Sequence, residues 1–93
     1  MGITRINTFQ AKEGNLNNVR DFLQSIIPLI QRAEGCSSCR LLQSHDKIHE
    51  FIIIEEWDSI ESHQASIKHI PADKLSALMP LLTQPPCGSY YTN

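Results

Sequence analysis

The run Phe51-Ile52-Ile53-Ile54-Glu55-Glu56-Trp57 constrains this chain more than any other segment. Consecutive apolar residues cannot make a strand with one wet face, because neighbouring side chains point to opposite sides of a sheet. Phe51, Ile53, Glu55 and Trp57 share one face; Ile52, Ile54 and Glu56 share the other. Both faces need cover. The chain then turns at once into Asp58-Ser59-Ile60-Glu61, a helix start with Asp58 as N-cap and Glu61 three residues on. Trp57, at that strand-to-helix corner, is placed to wall a pocket between sheet and helices.

The rest of the chain supplies what such a strand needs. Gly2 to Ala11 reads as a first strand, with Ile3, Arg5, Asn7 and Phe9 on one face and Thr4, Ile6 and Thr8 on the other. Lys12 to Asn15 gives a turn and an Asn N-cap. Leu16, Val19, Phe22, Leu23, Ile26, Ile27 and Ile30 recur at helical spacing, so a long amphipathic helix follows, kinked at Pro28 and capped by Gly35. Cys36 to His45 is a second strand, joined by Asp46 to His49 to the third, Glu50 to Trp57, as an antiparallel hairpin. A second helix is expected from about Ser59 to His69, and a third opens at Pro71 with Leu75, Leu78, Met79 and Leu82 on its apolar side. Pro86 to Tyr91 is a short last strand.

The order strand, helix, strand, strand, helices, strand is the ferredoxin-like split βαβ arrangement, an α+β fold with an antiparallel sheet. Residues 1–93 form a single domain. Helices cover one sheet face only, so the other face, bearing either Ile52 and Ile54 or Phe51 and Ile53, needs a second sheet. An identical chain is the simplest supplier, and a homodimer closing into an α+β barrel is expected. A small domain gains from such a partner.

A net charge of −2 gives no reason to expect nucleic acid or an anionic membrane as partner. No apolar stretch approaches a membrane span, and the first ten residues lack the apolar core of a signal peptide. Three cysteines is an odd count, and free thiols persist most easily in a reducing compartment, so a cytoplasmic location is expected. Cys36-Ser37-Ser38-Cys39 follows a helix rather than opening one, and its two thiols should point to opposite faces of a strand. With no second metal-ligand pair, neither a redox nor a metal role is expected of it.

Chemistry is better sought at His63 and Asn7. Ile60, His63 and Ile67 fall on one helical stripe, so His63 points inward among apolar groups. There it is either a general base or substrate-hydroxyl ligand, or a core histidine satisfied by a backbone carbonyl. Asn7 sits mid-strand against its propensity. It either presents an amide to a buried ligand or bonds a neighbouring strand. Arg5 and Arg40 are strand cations whose simplest partners are Glu55 and Glu56 in surface ion pairs.

Taken together, the Ala11-Lys12-x-Gly14 end of the first strand, Glu34-Gly35-Cys36, the Phe51 to Trp57 strand, Trp57-Asp58-Ser59-x-Glu61-x-His63 and Pro80-Leu81-Leu82 resemble the antibiotic biosynthesis monooxygenase (ABM) family, the quinol monooxygenase-like group. The resemblance spans nearly the whole chain. It implies a dimeric α+β barrel with a pocket between sheet and helices. It also implies cofactor-independent oxidation of a small electron-rich aromatic, a quinol, phenol or anthrone, by molecular oxygen without metal or flavin. Dioxygen is a triplet and reacts poorly with closed-shell molecules, whereas a deprotonated aromatic can give it one electron. The protein must then provide a base, donors for the oxyanion and a dry chamber. By resemblance His63 is the base, Asn7 the amide donor, and Trp57 the stacking wall, with Phe9, Phe22 and Ile60 completing the substrate-binding surface. Cys39 departs from the family pattern, which often has an aromatic there. The helix lacks the Trp, and Pro71 to Leu82 the His, of haem-degrading relatives. The competing reading is a ligand-binding or stress-associated dimer without catalysis.

Overall fold

The computed structural model describes residues 2–93 and follows the expected order. Strand β1 (Ile3–Gln10) leads to helix α1 (Leu16–Gln31), then to strands β2 (Cys36–Gln43) and β3 (Glu50–Trp57). Helix α2 (Ile60–Ser66) runs into a 3-10 turn (Ile67–His69); α3 (Ala72–Leu78) and a second 3-10 turn (Met79–Leu81) lead to β4 (Cys87–Tyr91). All pairings are antiparallel, in the spatial order β2-β3-β1-β4. The shortest dimension is 19 Å, which is one sheet and one layer of helices.

The central strand settles which face is which. Phe51, Ile53, Glu55 and Trp57 are all buried beneath the helices, alternating with half-buried Ile52, Ile54 and Glu56. In register with the buried set, Ile3, Arg5, Asn7 and Phe9 of β1 pair with Trp57, Glu55, Ile53 and Phe51. From α1, Val19, Leu23, Ile26 and Ile30 descend onto that face and form the core with Phe9, Phe51, Ile53 and Trp57. The opposite face carries Ile6, Ile52 and Ile54 in neighbouring positions, with Leu42 and Tyr91 exposed beside them. The buried residues of α1 and α3 pack on the other face, in the core.

Several local expectations are corrected. The cap of α2 is Ser59 rather than Asp58: Ser59 has extended backbone, and its hydroxyl accepts from Ser62 N–H at 3.1 Å. Helix α1 ends at Gln31 with Arg32 as its C-cap, three residues before Gly35. Gly35 serves a tighter purpose, with φ of 90° and a Cβ position already filled by Ser62 and Asp58 side-chain atoms. Its carbonyl accepts from Asp58 N–H at 2.8 Å, tying the entry of β2 to the exit of β3. Across Pro28, which is exposed, α1 continues as one helix. The second strand stops at Gln43, where Ser44 Oγ accepts from Lys47 N–H and begins the turn.

The prediction that Cys36 and Cys39 point apart also fails. A register shift between Cys36 and Ser38 places Cys36 opposite Trp57 and Cys39 opposite Glu55, residues of one face. An extra residue in one strand reverses the alternation beyond it. Burial pushes the Cys39 thiol up to about 12, reinforced by Glu55 and Cys36, so it stays protonated and inert. Among the described residues, no three His, Cys, Asp or Glu side chains gather where they could hold a metal ion. Nor is any described helix long and apolar enough to cross a membrane.

Candidate active site

Between the buried sheet face and the helices lies a cavity of about 290 Å³. Its walls are largely aliphatic: Ile26 and Ile30 of α1, Ile53 of β3, and Ile70, Leu75 and Leu78 beyond α2. The polar groups that border it are Asn7, Glu55, His63 and Ser66. Such a chamber, mostly apolar with a few convergent polar groups, is the usual form of a small-molecule site.

Those polar groups arrive from different elements for identifiable reasons. Asn7 and Glu55 lie on adjacent strands and on the helix-covered face, because β1 and β3 pair with Asn7 opposite Ile53 and Arg5 opposite Glu55. His63 is 5% exposed and comes down from α2, a helix anchored by the Ser59 cap. Glu55, 3% exposed, is the hub. Its Oε1 accepts the indole N–H of Trp57 at 2.8 Å, and its Oε2 accepts the Asn7 amide at 3.4 Å. His63 Nε2 stands 3.8 Å from Oε1, a close approach too long for a hydrogen bond. The other ring nitrogen, Nδ1, is 2.7 Å from the hydroxyl of Tyr90 on β4. Trp57 and Tyr90 both meet the imidazole edge-on, with centroids 5.4 and 5.3 Å away. The Arg5 guanidinium lies 4.6 Å from the centre of the Tyr90 ring, and Asn7 and Arg5 extend over Gly88, where any Cβ would collide with both.

Burial sets the protonation of this cluster. It pushes the Glu55 carboxyl above the usual carboxylate range, although the Trp57 N–H, the Arg5 charge and the Asn7 amide pull the other way. It pulls His63 below its usual range, and the Arg5 charge adds to that. His63 is therefore neutral at physiological pH. Glu55 becomes a more basic carboxylate than one in water, able to accept a proton from a molecule in the cavity, with a neutral imidazole beside it.

The residues singled out in the sequence divide. Asn7, Phe9 and His63 border the cavity. Trp57 does not: it is 1% exposed and faces the cavity only through Glu55 and His63. Phe22 packs against the core from its periphery, and Ile60 is 37% exposed; neither belongs to the wall. Of the stripe Ile60, His63 and Ile67, the last two border the cavity and Ile60 does not. Two residues of this cluster were missed. Glu55 is buried rather than paired at the surface, and the alternation that places it with Phe51, Ile53 and Trp57 was the available signal. Tyr90 had no such signal, since β4 is five residues long and only its pairing with β1 brings it to His63.

The model of the antibiotic biosynthesis monooxygenase family matches residues 2–69. The chain belongs to that family. No curated protein sequence matches this ABM chain. Among solved structures it is similar to Rv0793 of Mycobacterium tuberculosis, with 20% identity, a TM-score of 0.87, and 100% and 95% of the two chains covered. It is similar to PA3566 of Pseudomonas aeruginosa, with 20% identity, a TM-score of 0.87, and 99% of this chain and 93% of that one covered. It is also similar to SnoaB of Streptomyces nogalater, described as a cofactor-independent oxygenase, with 19% identity, a TM-score of 0.81, and 99% and 92% covered. At these identities the likeness establishes a shared fold.

Proposed function

We propose that this ABM protein is a monooxygenase that oxidises a small electron-rich aromatic, of quinol, phenol or anthrone type, with molecular oxygen and without a metal or organic cofactor. The observation that carries the reading is the buried Glu55–His63 pair, with side chains 4% and 6% exposed, bordering an apolar cavity beside Asn7. Family membership and the description of SnoaB as a cofactor-independent oxygenase support it.

The chemistry follows from the groups present. The aromatic ring is held among Phe9, Ile26, Ile30 and Ile53, and its acidic hydrogen turns toward the pair. Glu55 and His63 form the acid–base centre, since one is a carboxylate of raised basicity and the other a neutral imidazole. The resulting oxyanion takes a hydrogen bond from Asn7 and gives one electron to dioxygen. The radical pair then combines in a chamber that excludes water. An anthrone methylene becomes a carbonyl, one oxygen atom entering the product and the other leaving as water, so no outside reductant is required. A second copy of the chain, packed on the face of Ile6, Ile52 and Ile54, completes the molecule as a homodimer.

Oxygen uptake with a panel of hydroquinones and anthrones tests this. Turnover is expected from the wild type and should fall by about 10²-fold or more in His63→Ala and Asn7→Ala. Saturable ligand binding with no oxygen consumed by any substrate would leave a binding protein of the same fold.

A further inference from the structure

His63 is tied to a tyrosine that does not border the cavity, and the acid–base reading alone gives that bond no purpose. The Tyr90 hydroxyl sits 2.7 Å from Nδ1. It lies on the last strand, outside the residues 2–69 matched by the family model. A neutral imidazole carries one proton, on Nδ1 or on Nε2, and the bond made by one nitrogen decides the state of the other. Either way of filling the 2.7 Å bond is open in principle: Tyr90 can donate to Nδ1, or Nδ1–H can donate to the phenol oxygen.

Two charges select between them. The guanidinium of Arg5, 4.6 Å from the centre of the Tyr90 ring, draws electron density from the phenol and makes its O–H the better donor. Among the described residues that guanidinium makes no salt bridge within 4.0 Å, and its buried Nε finds no hydrogen-bond partner. On the other side of the imidazole, Glu55 Oε1 stands 3.8 Å from Nε2. A carboxylate at that distance favours an N–H facing it over a lone pair. Both influences act in the same direction.

We infer that Tyr90 is a positioning residue: by donating its hydroxyl hydrogen to Nδ1 it fixes His63 as the Nε2–H tautomer, which leaves Glu55 as the group that takes the proton from the substrate. The assignment of Glu55 rests on the oxygenase reading; the tautomer does not. In the proton step the substrate O–H or C–H bond breaks, a bond to a Glu55 carboxylate oxygen forms, and the electron pair stays on the substrate. His63 keeps its proton, its Nε2–H facing Oε1 across 3.8 Å, while the Trp57 N–H orients the carboxylate through that oxygen. Gly88 belongs to the same device, because a side chain there would displace Arg5 and Asn7 together.

Nitrogen-15 NMR of the His63 ring in the unliganded full chain, at mildly alkaline pH, reads the tautomer directly. The wild type is expected to show a single Nε2–H form, and Tyr90→Phe, which keeps the ring beside Arg5, a mixture of the two. An Nδ1–H form in the wild type, or an unchanged ring in Tyr90→Phe, overturns the inference. With a substrate that turns over, Tyr90→Phe is expected to lower kcat on the order of tenfold to a hundredfold at nearly constant KM. An equal rise in KM with kcat intact would make Tyr90 a mere support of the pocket and refute it. Should no substrate consume oxygen while the ring spectra come out as expected, the oxygenase reading fails and the tautomer assignment stands.

Discussion

Glu55 is held where a carboxylate is least at ease, under a layer of helices and, among the described residues, with no direct cationic partner at hydrogen-bond distance. Its folded pKa is raised above the ordinary 4.5, so the stability it allows is fully present below that value and lost as pH rises through the folded one. Glu55→Gln keeps an oxygen for the Trp57 N–H and removes the charge. It is expected to stabilise the fold by about 1 kcal/mol near neutral pH while abolishing turnover. Thermal melts across pH check this: the advantage should shrink toward pH 4.5, and a variant less stable than wild type near neutrality would refute it. His63 acts in the opposite sense. Its folded pKa lies below the ordinary 6.5, so stability is full above 6.5 and declines as pH falls toward the folded value. Asn7 and His63 were legible as inward polar residues. Glu55 was half legible: its face was evident, but its charge suggested a surface ion pair.

At the scale of elements, the site depends on where α2 starts and how β2 enters. Ser59 holds the first turn of a seven-residue helix whose buried residue is His63. Ser59→Ala should cost about 1 kcal/mol, read as a lower midpoint in urea unfolding. An unchanged midpoint would mean that packing alone fixes the helix. Gly35, with its positive φ and its close approach to Ser62, makes the β2 entry and α2 one unit. Element order and strand alternation were readable because period-two and helical patterns are long in β3 and α1. Caps and bulges were not, since Asp58 and Ser59 are equally good capping residues and one extra residue at Ser37 leaves no trace in composition.

For the whole molecule, the two-layer build leaves Ile6, Ile52, Ile54 and Leu42 on a face without helices. The proposed homodimer covers it, and Ile54→Asp, at the centre of that face, should yield a monomer in sedimentation with a lower and concentration-independent melting point. A wild type that sediments as a monomer at micromolar concentration would dismiss the pairing. The sequence already showed that both faces of β3 are oily. It could not say which one the helices take, because that depends on the register with β1 and on α1 docking. One further consequence follows from the bond between Trp57 and Glu55. The chain has a single tryptophan, and its indole N–H ends on the carboxylate at the cavity wall. Intrinsic fluorescence from an unlabelled sample is thus a built-in gauge, one lamp wired to one acid, that dims or shifts in colour when the chamber fills.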